Sequence, residues 1–413
     1  MRPVLAVAML AVGVAGGAGA IRMGRQGRER PLDLASAGPD SSQMGRFLGA
    51  LAGSDPMICE EVAEAFGNFW SGRGETGIGE LGDGPIGARA LRDSLRQPIS
   101  DPKALSLLAS NLANGNACVR RVAAKALGRS WPASRRTISS GLESPDARVR
   151  EAALLALGHA QDGSTRDRLE RATADADSDV AAMATWALGG LEDARSLDVL
   201  KRLLDRGAGR VRRAAIWALG AIEDPRAVPW LIPTLRDRDA VTRLLGVEAL
   251  GRLERREAVP ALLPLLDDPA DVVREATAHS LGSIEDPAAA GALDRALADR
   301  SVDVRRAAAD ALGSLDGLEA APPGLLAALR AEDVELRRVV AQALANIHDP
   351  AAVAALSERL DDPDVETRRA IVRAVAAIEE PASVPLLMRA LKDQDIEIRK
   401  TAAEALGQHG RSN

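Results

Sequence analysis

The tripeptide Ala-Leu-Gly, intact or with substitutions, recurs along this chain at a nearly constant spacing. It begins, in order, at Ala126, Ala156, Ala187, Ala218, Ala249, Ser280, Ala311, Ala343, Ala374 and Ala405. Self-similarity at a fixed period of about 20–50 residues is the signature of repeat proteins, in which each unit packs only against its neighbours. The period therefore predicts one elongated array of stacked units, even though 413 residues would ordinarily suggest several globular domains.

Each unit is predicted to contain two helices. Asp-Pro pairs such as Asp224-Pro225 indicate where the first helix starts, because Asp caps free N–H groups and Pro is tolerated in the first turn. The second helix ends near the glycine and has an apolar stripe with helical spacing, at Val211, Ala214, Ala215, Ala218 and Leu219. No long stretch alternates with the period of a strand. The predicted fold is an all-α superhelix of about twelve two-helix repeats.

The domain organisation follows from this register. Residues 98–408 form the regular array, and residues 43–97 hold two degenerate copies, the first with a helix predicted at 43–52. Between these two copies, residues 72–84 are so rich in glycine that they predict an exposed loop in place of a first helix.

The N-terminal segment has a different composition. Residues 3–21 carry no charge and end in a small-residue site, Ala18-Gly19-Ala20, so residues 1–21 are predicted to be a cleaved signal peptide. A membrane anchor is the alternative, because the segment nearly spans a bilayer and is followed by arginines at 22, 25, 28 and 30. A mis-assigned start codon is a third alternative. Residues 22–42 are predicted to be a linker, and the protein to be exported to the bacterial periplasm or envelope, or membrane-anchored, rather than cytoplasmic.

The two cysteines, Cys59 and Cys118, fall two units apart in the repeat register. Helices pack about 8–10 Å apart, whereas a disulfide needs Cα atoms within about 7 Å. The sequence therefore predicts two partly buried thiols.

The units resemble the HEAT-like repeats of the phycobilin lyase type, which implies a right-handed α-α superhelix. HEAT units carry an Asp and an Arg six residues apart that link neighbouring units in a ladder. Matching pairs are Asp237 and Arg243, Asp268 and Arg274, Asp299 and Arg305, Asp362 and Arg368, and Asp393 and Arg399. One partner is missing at Ala181, Arg206 and Ala331, and looser packing is expected there.

Two enzymes share the fold that this resemblance implies. Deoxyhypusine hydroxylase binds iron through His-Glu dipeptides, but here the four histidines precede Ala, Ser, Asp and Gly, which argues against that activity. A phycobilin-lyase-like or other chromophore-handling enzyme remains the alternative function. Capping explains the carboxylates at the turns, and the ladder explains the arginines that recur at one position of the second helices. No catalytic, metal or cofactor-binding residue is therefore predicted. The net charge of -6 gives no case for nucleic acid.

The sharpest functional signal is the one helix position that varies while its neighbours stay constant. We call it the Trp217 column; its central members are Leu155, Trp186, Trp217, Glu248, His279 and Asp310. The resemblance places this helix on the concave surface. Exposed aromatic residues beside arginine are typical binding anchors, and Arg213 lies one turn from Trp217.

The predicted function is a non-catalytic scaffold that binds another protein or peptide on its concave face. Leu155, Trp186 and Trp217 would be the anchor, and Arg213, Glu248, His279 and Asp310 the polar rim. The alternative is that the rings fold over the neighbouring unit and serve mainly as packing.

Overall fold

The computed structural model describes residues 41–52, 98–378 and 380–409, and every regular element in these ranges is helical. The described residues all belong to one compact unit. The predicted signal peptide or anchor, nearly all of the linker, the 72–84 loop and the other helices of the two degenerate copies lie outside these ranges. Those boundaries therefore stay predictions.

Helix α1 spans Ser41–Ala52, and ten helix pairs follow in the described part of the chain. They are α2 (Pro102–Asn111) and α3 (Ala117–Arg129), α4 (Arg135–Leu142) and α5 (Ala147–Ala160), α6 (Arg166–Ala172) and α7 (Ser178–Gly189), α8 (Leu197–Arg206) and α9 (Gly209–Ala221), α10 (Val228–Leu231) and α11 (Ala240–Leu253), α12 (Val259–Leu262) and α13 (Asp271–Ile284), α14 (Ala290–Ala296) and α15 (Val302–Ser314), α16 (Pro323–Ala328) and α17 (Val334–Ile347), α18 (Ala352–Ser357) and α19 (Val365–Ala377), and α20 (Ser383–Ala390) and α21 (Ile396–His409). The first helices α10 and α12 continue as 3-10 turns at Ile232–Arg236 and Leu263–Asp267.

Each second helix packs against the second helices before and after it, and also against the first helix of its own repeat. The core is aliphatic, as the scarcity of aromatic residues requires, with Ala218 and Leu219 fully buried. Ile216 is also fully buried, although it lies outside the predicted stripe, whereas Val211 and Ala214 of that stripe are only half-buried. The buried face of α9 is therefore shifted from the predicted one. The predicted all-α superhelical repeat fold is confirmed.

The Ala-Leu-Gly motif is the contact between successive second helices. A Cβ added to Gly220 would lie 2.7 Å from Cα of Ala249, and one added to Gly189 would lie 2.5 Å from Cα of Ala218. Real Cβ atoms are not found so close to another carbon. The glycine of each of these repeats therefore packs against the alanine of the next repeat. Each tripeptide supplies an alanine to the contact with the preceding repeat and a glycine to the contact with the following one.

The second helices end near the glycine, as predicted: α7 ends at Gly189, whereas α9 ends one residue after Gly220. Helix α11 continues from Gly251 to Leu253, and the next residue, Glu254, has φ of 50°. Glu285 has φ of 57° at the equivalent position after α13. The left-handed residue that ends these helices is thus a glutamate, and the glycine serves close packing inside the helix.

The predicted Asp-Pro starts are confirmed where their side chains are described. Asp224 accepts a hydrogen bond of 2.9 Å from the backbone N–H of Arg226, and Asp286 one of 2.9 Å from Ala288. Asp101 accepts one of 3.0 Å from Ala104. These caps fix the turn between consecutive repeats.

The predicted ladder is also present, near the N-terminal ends of the second helices. Arg243 donates a hydrogen bond of 2.7 Å to the carboxylate of Asp268 in the next repeat, and one of 2.8 Å to the backbone carbonyl of Asp237. Arg274 binds Asp299 in the same way and is only 4% exposed. Hydrogen bonds from Arg274 hold the pKa of Asp299 below its ordinary value. Arg243 and Arg274 therefore each join a carbonyl of their own repeat to a carboxylate of the following one.

The expected loosening at the missing ladder pairs is only partly found. Between α7 and α9, where Ala181 and Arg206 replace the pair, the contact of Gly189 with Ala218 is as close as any other. A cavity of about 850 Å³ nevertheless opens beside Ala181 and Arg206. The glycine contact and an exposed ion pair of 2.9 Å between Arg210 and Asp179 join the two second helices without the ladder pair, and the gap lies at the ladder end.

The prediction of two free thiols is wrong for Cys118, which is disulfide-bonded. The other cysteine of the chain, Cys59, lies outside the described residues. The expected separation of the two cysteines presupposes regular stacking of the repeats. Instead, α1 packs directly against α2 and α3, and the Asn116 side chain donates a hydrogen bond of 3.4 Å to the carbonyl of Ala52. Residues far apart in the repeat register are therefore close in space at this end.

Gly220→Ala should lower the free energy of unfolding by about 1–3 kcal/mol, because the added methyl group must displace the Ala249 backbone. Denaturant unfolding followed by circular dichroism measures the change. Gly407→Ala is the matched control, because Gly407 is the glycine of the Ala-Leu-Gly copy that begins at Ala405, and nothing lies within 4 Å of its Cβ position. Alanine there should stabilise the helix by up to about 1 kcal/mol. Equal effects of the two substitutions would contradict the packing role.

Cys118 should resist alkylation in the denatured, unreduced protein and react fully after reduction, because a disulfide has no thiolate to offer. Mass spectrometry of the peptide that contains Cys118, with and without prior reduction, measures this. Alkylation of Cys118 without reductant would show that the thiol is free.

Candidate functional site: a column on the second helices

The Trp217 column runs along α5, α7, α9, α11, α13 and α15 and changes in character along its length. Its first four central members are half-buried, namely Leu155, Trp186, Trp217 and Glu248. His279 and Asp310 are exposed. The column therefore combines a half-buried apolar section with a more open polar one. Its role in partner binding stays a prediction.

Trp186 and Trp217 form a stacked pair across the junction of α7 and α9. Their ring centroids are 5.9 Å apart and the ring planes differ by 24°. Each ring covers the motif glycine of the preceding repeat: Cζ3 of Trp186 would lie 2.6 Å from a Cβ on Gly158, and Cζ3 of Trp217 3.1 Å from one on Gly189. The rings thus do fold over the neighbouring unit, as the alternative interpretation expects, yet both keep part of their surface exposed.

His159 extends this aromatic cluster and was not predicted as part of it. Its ring meets Trp186 edge-on, with centroids 5.8 Å apart. Its Nε2 is buried without a hydrogen-bond partner among the described residues. Burial, helped by the charges of Lys125 and Arg129, lowers the pKa of His159 to about 4, so the ring is neutral at ordinary pH. His159 follows the motif glycine and lies outside the column, so a comparison confined to the column could not find it.

Glu248 and His279 lie in one groove of about 550 Å³ between α11 and α13. Leu244 and Val272 contribute apolar surface to the groove, and Arg252 and Glu275 are among its polar residues. Burial raises the pKa of Glu248, and the charge of Arg252 opposes that shift. Of the predicted rim residues, the structure thus brings these two together, whereas Asp310 does not line the groove.

Arg213 has a partner of its own in the structure. Its guanidinium lies 3.4 Å from a carboxylate oxygen of Asp239, in the turn before α11. The prediction placed Arg213 beside Trp217 as a polar contact for a partner. The observed ion pair is more than a third exposed on both sides, so it is weak and open to exchange.

The described part of the site offers apolar, aromatic and hydrogen-bonding contacts. No group of three or more His, Cys, Asp or Glu residues that could hold a metal ion occurs in the described ranges. Within the same ranges, no helix is long and apolar enough to cross a membrane.

Paired helices that stack through a Gly–Ala contact and a buried Asp–Arg ladder define an α-solenoid. The model of the HEAT repeats family matches residues 136–220, 165–244, 228–313 and 322–407. These matches cover more than half of the chain, which therefore belongs to the HEAT repeat family. Among curated proteins, none matches the sequence.

Solved structures with a similar fold include proteins of different kinds. Kap95p, in a structure that describes its binding to RanGDP, has a TM-score of 0.54 and 16% identity over 88% of this chain and 58% of its own length. Human deoxyhypusine hydroxylase has 22% identity over 60% of this chain and 96% of its own, with a TM-score of 0.28. The CpcE–CpcF complex of phycocyanin lyase from Nostoc sp. PCC7120 has 24% identity over 60% of this chain and 94% of its own, with a TM-score of 0.36. At these identities the likeness concerns the fold alone.

The buried His159 should make stability depend on pH. Its folded-state pKa of about 4 lies below the ordinary value of 6.5, so on acidification the unfolded chain takes up a proton before the folded chain does. The contribution of His159 to the free energy of unfolding should fall by about 1–3 kcal/mol from about pH 7 to about pH 4.5. Denaturant unfolding of the wild type and of His159→Asn at both pH values measures the difference. His279→Asn, at an exposed histidine, is the control, and identical pH profiles for all three proteins would contradict the prediction.

Proposed function

We propose that this protein is a non-catalytic HEAT-repeat scaffold that binds a segment of another protein along the Trp217 column. The observation that carries the proposal is the stacked pair of Trp186 and Trp217, which keeps part of its surface exposed in a protein otherwise very poor in aromatic residues. Tryptophan dominates binding hot spots because each ring offers about 150–250 Å² of surface at a low entropic cost. Because the two rings are already stacked on each other, partner binding would cost them little further conformational entropy.

The groove that contains Glu248 and His279 makes one end of this surface polar. A partner segment that contacts Leu155, Trp186 and Trp217 with apolar side chains would meet the hydrogen-bonding groups of Glu248 and His279 in the next two repeats. A hydrophobic centre with a polar margin is the usual composition of a protein interface. Burial raises the pKa of Glu248, so its carboxylate would gain more from a partner's cation or hydrogen-bond donor than a fully solvated carboxylate would.

The fold comparison supports a protein-binding role at the level of architecture. Kap95p, whose TM-score exceeds 0.5, is described in its own structure as binding RanGDP. The two enzymes among the similar structures have TM-scores below 0.5 and carry no argument about activity. The concave placement of the column belongs to the same proposal.

We further propose that the protein is exported or held at the membrane through residues 3–21. The disulfide at Cys118 supports this location, because disulfides persist in oxidising compartments such as the bacterial periplasm and are rare in the cytosol. Sequencing of the N-terminus of the protein from native cells, together with its distribution between membrane and soluble fractions, distinguishes a cleaved signal from an anchor.

A Trp186→Ala/Trp217→Ala double variant should keep its helical circular dichroism and lose at least about tenfold in partner affinity, because two central anchors are removed. Affinity capture from native cells, compared quantitatively with the wild type, identifies proteins that depend on the two rings. A photo-crosslinking residue at His279 should label the same proteins.

Trp230→Ala is the control for this test, because Trp230 is also half-buried but lies on the first helix α10, beneath Lys201. A protein recovered by the wild type and by Trp230→Ala, but lost from the double variant, is the expected partner. Equal recovery of every protein by all three would disprove the proposed interface.

A further inference from the structure

The cavity at the broken ladder has the composition of a second binding site. It measures about 850 Å³ and lies between α6 and α8, beside the N-terminal ends of α7 and α9. Its lining includes three arginines, Arg171, Arg202 and Arg206, all of them exposed. Arg206 occupies the aspartate position of the ladder, and Ala181 occupies the arginine position, so both members of this rung are replaced.

The charges around this cavity are unequally matched. Its three carboxylates are all paired: Asp175 with Arg150 at 2.8 Å, Asp167 with Arg166 at 2.8 Å, and Glu170 with Arg166 at 3.5 Å. By contrast, none of the three lining arginines has an ion pair with any residue that the structure describes. The cavity therefore offers unneutralised positive charge inside a protein whose net charge is -6.

Two features near this cavity reduce local stability. Arg202 and Arg206 are one helical turn apart, where like charges repel. Helix α9 follows Ala208 and has no side-chain cap, as α13 and α15 also have none, whereas the neighbouring α7 and α11 are capped by Asp177 and Asp239. Violations of local stability rules are expected at functional sites.

The cavity is also part of a longer groove. A second cavity of about 410 Å³ lies between α4 and α6, and both cavities include Arg171 and Asp175 in their lining. The second cavity adds Arg168, which donates a hydrogen bond of 2.6 Å to Ser139. Half-buried Val199 and Leu203 supply apolar surface in the larger cavity. The combined groove can accept an extended chain that carries both carboxylates and apolar side chains.

We propose that this groove, defined by Arg171, Arg202 and Arg206, binds an acidic segment of a protein partner. Arginine forms paired, charge-assisted hydrogen bonds with carboxylates, and Val199 and Leu203 would contact apolar side chains between them. A nucleic acid fits less well, because its uniform negative charge would extend beyond the groove over an acidic protein. The groove shares no residue with the Trp217 column, so the two binding surfaces can be tested separately.

The test uses a variant that repairs the ladder. Ala181→Arg/Arg206→Asp restores both members of the rung, so it should raise the melting temperature and close the groove. A second variant, Arg202→Ala/Arg206→Ala, removes two of the arginines. Arg295→Ala/Arg300→Ala is the control, because it removes the same charge from a part of the array where both guanidinium groups bind backbone carbonyls.

The probe is a fluorescein-labelled peptide of glutamate and leucine, and its affinity is measured by fluorescence anisotropy. A lysine-and-leucine peptide and a single-stranded oligothymidine of equal charge are measured beside it. The acidic peptide should bind the wild type and the control equally, and should bind both groove variants at least about tenfold more weakly. The proposal is overturned if the acidic peptide does not bind, if the repaired ladder binds it as well as the wild type does, or if either of the other probes binds more tightly.

Discussion

The close contact between the glycine of one second helix and the alanine of the next is the constraint on which this structure depends. At Gly189 and Gly220 the following backbone occupies the place where a side chain would be, so the distance between successive helices is set by backbone atoms. The same tripeptide supplies the alanine to the previous repeat and the glycine to the following one. A single short motif, repeated with the right interval, is therefore sufficient to propagate the stack.

Much of the fold could be predicted because the interval itself carries the information. The two helices, their Asp caps and the ladder between Asp268 and Arg243 all follow from patterns that repeat, and repetition separates them from chance. The function of the motif glycine was harder to predict. A glycine near the end of a helical pattern usually signals a cap, and only the spatial neighbour, thirty residues away in sequence, shows that it serves packing.

The site was less predictable, and for physical reasons. The stacking of Trp186 on Trp217 depends on the side-chain rotamers of both residues, which the sequence does not specify. His159 became part of the cluster through burial by a neighbouring repeat. The error at Cys118 arose because the register was assumed to continue unchanged, whereas α1 packs directly on α2. Where the repeats are regular, sequence spacing measures distance; where they degenerate, it does not.

The missing rung between Ala181 and Arg206 has a mechanical consequence. Most junctions of the described array are fastened twice, by an ion pair near the N-terminal ends of the second helices and by the glycine contact near their C-terminal ends. The junction of α7 and α9 keeps the glycine contact, at Gly189 and Ala218, but an exposed ion pair of 2.9 Å between Arg210 and Asp179 stands in place of the ladder pair. Exposed ion pairs contribute little to stability, so this junction is held firmly at one end only. Trp186 and Trp217 lie on either side of it, so a change in the angle between these two repeats would also change how the two rings are presented.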